Sequence, residues 1–144
     1  MDDGSKIEHR EPVALGSLMT AMAFTNTALG AVHGLAHPVG ALFHAPHGLV
    51  CALLLPHVCE FNLPAQPEKF DRIAARIGCK SGRDVPSALS ALNRRVGIAE
   101  QRGKFGMEES AFPRILAHSR SGSMANNPRP ASDADLAAIL RATL

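Results

Sequence analysis

The sequence predicts an all-helical domain, and three observations predict it. No stretch alternates apolar and polar residues with the period of two that a half-buried strand requires. Helix boundary signals recur: Gly78 and Gly97 follow apolar-periodic runs, and Ser132-Asp133-Ala134-Asp135 sets acidic side chains at the positive end of a last helix. Finally, the segment from Pro12 to Cys59 contains no Asp, Glu, Lys or Arg, which points to helices buried in protein.

A chain of 144 residues is long enough for one domain with a real core. We read residues 1–11 as a polar N-terminal segment and residues 12–144 as that domain. With 15 basic and 13 acidic residues mixed in sign, no nucleic-acid partner is expected. The lack of Trp and Tyr removes the stacking platforms of a single-strand binder. Cys51, Cys59 and Cys79 are odd in number and carry no metal-type spacing, which fits reduced thiols in the cytoplasm. The amino terminus is acidic rather than basic-then-apolar, so no signal peptide is expected. Val13–Leu35 is long enough to raise the membrane question, but Ser17, Thr20, Asn26, Gly30 and His33 dilute it. A buried helix, and no membrane, is the better reading.

Taken in order, Pro12 suits a first helical turn, and apolar residues on most faces from Val13 to about Ala36 predict one enclosed helix. Gly30 and Gly34 permit either close approach of a neighbouring helix or room for a ligand beside His33. A second helix is expected from Pro46 or His47 to about Phe61, with Val50, Leu53, Leu54 and Val58 as its core face and Pro56 as a kink. Leu63–Pro67 is a connector. Glu68–Ile77 reads as an amphipathic helix stopped at Gly78. Asp84 is an N-cap candidate for a helix over Val85–Val96. Gln101–Met107 is loop-like, Glu108–His118 helical, and Ser119–Pro130 an ordered loop before the last helix.

The chemistry concentrates between Gly30 and Gly48, which hold four of the seven histidines. Imidazole is the only strong ligand or acid–base group in that neutral surrounding. His33 and His37, four apart, share a helix face. On an unbroken helix His47 would stand about 21 Å from His33, too far to share a cation that binds nitrogen at ~2 Å. The chain must therefore turn back, and Pro38, Gly40 and Pro46 supply the punctuation for a bend between Pro38 and Pro46.

These residues resemble a known family. Val32-His33-Gly34-Leu35-Ala36-His37-Pro38-Val39-Gly40, then Pro46-His47-Gly48, Leu54-Leu55-Pro56-His57-Val58 and Phe61-Asn62 are similar to the iron-containing alcohol dehydrogenases. Met22–Asn26, Phe70–Ala74, Leu92–Ile98 and Asn127-Pro128-Arg129 extend the likeness over nearly the whole chain. Its form is closer to the general alcohol dehydrogenases than to the maleylacetate reductase branch. The resemblance implies the carboxy-terminal, multihelical, dehydroquinate synthase-like domain of an oxidoreductase. That family interconverts alcohols and aldehydes with NAD(P) and a divalent metal, commonly iron, held by an Asp and three His. His33 and His47 match the last two ligands, and His37 matches a histidine beside nicotinamide and substrate. The metal, iron or another divalent ion such as zinc, would be a Lewis acid on the alcohol oxygen. His44 and His57 match no ligand.

The resemblance also implies parts this sequence is not expected to hold. Asp2, Asp3, Glu8, Glu11 and His9 precede the motif without the context of the first two ligands. Gly103, Gly106 and Gly122 are isolated and make no phosphate loop. Metal should therefore bind weakly, NAD(P) should bind only if a separate domain supplies its site, and the chain alone is expected to be inactive. An uncovered apolar surface should drive a homo-oligomer, most simply a dimer, or recruit a separate dinucleotide-binding subunit. Two other readings stay open: a non-catalytic helical module for oligomerisation or partner binding, and a simple metal-binding protein.

Overall fold

The computed structural model describes residues 3–120 and 122–144, so Met1, Asp2 and Ser121 lie outside the described residues. Eight α-helices and no strand are found among the described residues. They are α1 Ile7–Thr27, α2 Ala31–Phe43, α3 His47–Asn62, α4 Pro67–Ile77, α5 Val85–Arg95, α6 Phe112–Ser119, α7 Gly122–Ala125 and α8 Asp133–Thr143.

The core forms where α2 and α3 fold into a hairpin and α6 and α8 pack onto it. Leu35 and Val39 of α2, Val50, Leu54 and Val58 of α3, Phe112 and Ile115 of α6, and Leu136 and Leu140 of α8 make one buried apolar cluster. Each set recurs at three- and four-residue spacing, so each helix buries one stripe. Burying a Leu or Phe contributes roughly 1.5–3 kcal/mol before the entropy of ordering is counted. A smaller cluster of Phe70, Ala74 and Val85 joins α4 to α5. Asn93 ties α5 to α3 by donating from Nδ2 to the Ala52 carbonyl at 2.7 Å. Ser132 caps α8 in a reciprocal box with Asp135, as its sequence predicts.

Several boundaries differ from expectation. The run Val13–Ala36 is not one helix: α1 ends at Thr27, and α2 leaves it at 105°. Ala28 takes a positive φ of 58° and Gly30 an extended one, which breaks the helix where no charge or proline marks a stop. Pro12 lies within α1, and the helix starts earlier, at Ile7. Nor is α1 enclosed, since none of its residues is buried. Its large apolar residues stay exposed, from Phe24 at 39% to Ile7 at 72%. The break also removes the continuous Val13–Leu35 stretch. His47–Ala65 is long and apolar enough to cross a membrane by composition alone, but it comprises the core helix α3 and its following turn.

Pro38 does not end α2, which continues to Phe43; the reversal is made by His44, in the left-handed conformation, with Ala45 and Pro46. Pro56 likewise sits inside an α3 that continues to Asn62. Asp84 does not cap α5. Its carboxylate instead accepts from the Ser81 amide and hydroxyl, which caps the short 3-10 turn before α5. The presumed loop Ser119–Pro130 contains the single turn α7.

Candidate metal centre

The three-residue reversal at His44–Pro46 lays the start of α3 beside α2. Ring centroids of His33 and His47 come to 5.3 Å, those of His33 and His37 to 5.9 Å, and those of His37 and His47 to 5.5 Å. The chain between His33 and His47, fourteen positions apart, is thus folded back on itself. His44 is left exposed at the corner. His57 lies elsewhere on α3, where its Nε2 accepts from Arg102 at 3.2 Å.

Burial differs within the trio: His33 is half-buried, while His37 and His47 are exposed. The His33 pKa is lowered, first by burial and then by the neighbouring His47 and His37. Each disfavours a proton on that ring, because a cation there would be poorly solvated and would face two further imidazoles. A neutral imidazole is the form that binds metal.

A fourth side chain joins this group that the sequence reading left out. Cys51 is four residues beyond His47 on α3, so both project from one helix face. Its Sγ lies 3.5 Å from His47 Nε2. One donor atom each from His33, His47 and Cys51 lie within 4.8 Å of one another. The cysteines carry no metal-type spacing among themselves, but tertiary folding and helical spacing bring Cys51 beside His33 and His47, where the three could hold a metal ion. The His47-x-x-x-Cys51 spacing was the signal available. Burial pushes the Cys51 thiol above its ordinary value and Cys59 to about 11.

An imidazole and thiol donor set that closes in this way fits a divalent transition metal better than a hard, oxygen-seeking cation.

Behind His33 and Cys51 lies a cavity of about 470 Å³, also lined by Gly30, Leu55, Asn62 and Asn127. Gly30 borders this cavity and also admits Asn127, whose Oδ1 a Cβ there would meet at 3.1 Å. Gly34 likewise serves close approach, because a Cβ there would meet Met124 Cε at 2.7 Å and the Ser119 carbonyl oxygen at 3.1 Å. Asn127 and Arg129 fix the far end: the Ala31 amide, at the open start of α2, donates to Asn127 Oδ1 at 3.1 Å. Arg129 donates to the Phe61 carbonyl at 2.9 Å and stacks its guanidinium 4.1 Å over the Phe61 ring. The segment that reads as a loop is therefore what anchors the helix carrying His33.

A multihelical domain with an imidazole cluster on a helical hairpin is the class that the fold and site define. The family described as Fe-containing alcohol dehydrogenase, C-terminal, matches residues 1–144, and the chain belongs to it. It is 37% identical over 147 residues to a 1,3-propanediol dehydrogenase of Klebsiella pneumoniae, covering 96% of this chain and 38% of that protein. It is 37% identical over 136 residues to the lactaldehyde reductase of Escherichia coli K12, covering 88% and 35%. The crystal structure of a 1,3-propanediol oxidoreductase superposes with a TM-score of 0.91 at 37% identity, over 98% of this chain and 39% of that one. An alcohol dehydrogenase from Oenococcus oeni gives 0.77 at 35% identity, over 84% and 34%. The chain thus spans less than two fifths of the length of these relatives.

Proposed function

We propose that this chain forms the metal-site domain of an NAD(P)-dependent oxidoreductase interconverting a small alcohol and its aldehyde. His33 and His47 act as metal ligands and His37 stands beside the substrate. The observation that carries this reading is the convergence of the three imidazoles at 5.3–5.9 Å on one hairpin. The names of the relatives, dehydrogenases and reductases of small alcohols and aldehydes, give the reaction class. A bound divalent ion, iron by the family's description, supplies Lewis acidity toward the alcohol oxygen.

The residues divide the remaining work. His33, disfavoured as an imidazolium, keeps its lone pair for the cation near neutral pH. His37 is exposed and lies against His47, where it can exchange a proton with solvent and substrate. The two histidines fall short of the donor number of a closed site, so the active assembly draws further ligands from outside the hairpin. The sequence holds no Gly-rich phosphate loop, so the nicotinamide site belongs to a separate domain or subunit. The same reading places the protein in the cytoplasm.

The test is metal content and thermal stability. After mild chelation, anaerobic addition of Fe(II) or of Zn(II) should raise the melting midpoint. Cation at a hundred times its dissociation constant contributes about 2.7 kcal/mol. His33→Ala and His47→Ala should each abolish the shift, and His37→Ala should retain it. Equal metal binding by the His33 and His47 variants would reject the ligand assignment.

A further inference from the structure

We propose that Cys51 is a third protein donor to the cation held by His33 and His47, making a mixed nitrogen and sulfur site for a transition metal. This rests on the reading of His33 and His47 as ligands and extends it to a residue with a different chemistry.

Three observations carry the inference. The Cys51 Sγ is already 3.5 Å from His47 Nε2, and donor atoms of all three residues lie within 4.8 Å of one another. Metal bonds of ~2.0–2.3 Å bring two ligands of one tetrahedral ion to within roughly 4 Å of each other, so ordinary side-chain rotations close the set. Cys51 and His47 occupy successive turns of one face of α3, while His33 reaches the same point from α2. The donors are thus supplied by two packed helices whose separation the core fixes. Finally, Cys51 forms no disulfide and borders the cavity that His33 also lines, while it packs against the core cluster.

The chemistry of the step is simple. The thiol gives its proton to solvent as the sulfur–metal bond forms, with no change in oxidation state. A thiolate beside two imidazoles favours zinc, cobalt(II) or iron(II) over magnesium or calcium. Three donors leave the remaining positions of the cation to ligands from outside the hairpin.

Cobalt(II) separates this inference from the one beneath it, because its visible bands report inner ligands of any kind and a near-ultraviolet sulfur-to-metal charge-transfer band reports thiolate. The unmodified chain should show both. Cys51→Ser and Cys51→Ala, with helicity checked by circular dichroism, should lose the charge-transfer band, keep the visible bands and bind at least about tenfold more weakly, a loss at the low end of that seen even for outer partners of a ligand. Visible bands without a charge-transfer band in the unmodified chain would overturn the role of Cys51 and leave the histidine assignment standing. A charge-transfer band that survives both substitutions would also overturn it, since the sulfur would be Cys59 or Cys79. No cobalt bound at all would reject both readings together. Should the variants fail to fold, peptide-mapped alkylation of the unmodified chain decides. Cobalt should slow iodoacetamide at Cys51 and not at Cys79, and an unchanged rate at Cys51 would refute the proposal.

Discussion

Asn62 and Asn127, 65 residues apart in sequence, hold each other by two reciprocal hydrogen bonds. Asn62 Nδ2 donates to Asn127 Oδ1 at 3.0 Å, and Asn127 Nδ2 donates to Asn62 Oδ1 at 2.8 Å. The Asn127 oxygen also takes the Ala31 amide, so one side chain joins the end of α3 to the start of α2. Asn62 is 8% exposed, which leaves water little access to replace these bonds.

Asn127→Ala should therefore destabilise the fold by about 2–6 kcal/mol, since it strands the Ala31 amide and the Asn62 amide group at roughly 1–3 kcal/mol each. Asn126→Ala is the control, because that exposed side chain bonds the Gly122 carbonyl of its own turn and, among the described residues, no other element. It should cost less than about 0.5 kcal/mol. Urea denaturation of the two variants measures the contrast, and equal midpoints would contradict it.

Gly82→Ala should unlock the small α4–α5 unit. A Cβ at Gly82 would lie 2.7 Å from Phe70 Cβ, 2.8 Å from Phe70 C and 2.9 Å from the Asp71 nitrogen. Two of these are backbone atoms, so no rotamer change relieves the clash. The shift would also stretch the bond from the Gly82 amide to Asp71 Oδ1, now 2.7 Å. A cost of about 1–3 kcal/mol follows from overpacking alone. Amide exchange should quicken in α4 and α5 before α2 and α3, and uniform protection would contradict the assignment.

Stability should fall on the acid side of neutrality partly through His57. Its pKa is lowered from 6.5, first by burial and then by Arg102, with Glu60 opposing. The folded state thus binds the proton less readily than the unfolded state does. This contribution is fully present above the ordinary value and is lost as pH falls below it through the depressed one. His33 shifts in the same direction. His57→Gln keeps an acceptor for Arg102 and cannot titrate, so its melting midpoint should drop less than that of the unmodified chain between about pH 7 and about pH 5. Parallel pH profiles would show that His57 takes no part.

Helix α1 should drive self-association. Leu15, Leu18 and Met22 lie on neighbouring turns of one face and are 55%, 58% and 64% exposed. A contiguous apolar strip of this kind favours a covering partner, and a second copy is the simplest one. Light scattering at micromolar protein should find dimers or larger species, and Leu18→Glu with Met22→Glu should return the chain to monomer. A strictly monomeric unmodified chain would reject this.

Much of this architecture could be read from local chemistry. Ser132 and Asp135 announce α8, Gly78 marks the end of α4, and the fold-back of His33 and His47 is signalled by Pro46, though Pro38 takes no part in it. What stayed hidden depends on contacts between distant segments. The corner after Thr27 has no helix-breaking residue at Ala28, so the apolar run reads straight through it. Cys51 resembles any core thiol until α2 brings His33 alongside. Asn127 sits in a stretch rich in turn residues, and nothing local shows that its amide caps a helix almost a hundred positions earlier.

The tight reversal at His44–Pro46 also sets an order of events. His33 and His47 meet across fourteen residues, whereas α3 and α8 are joined through about seventy. Closing the longer loop costs about 1.4 kcal/mol more in chain entropy. The imidazole cluster is accordingly expected to form by early, local collapse, with the carboxy-terminal helix then sealing a core whose chemically reactive face has already taken shape.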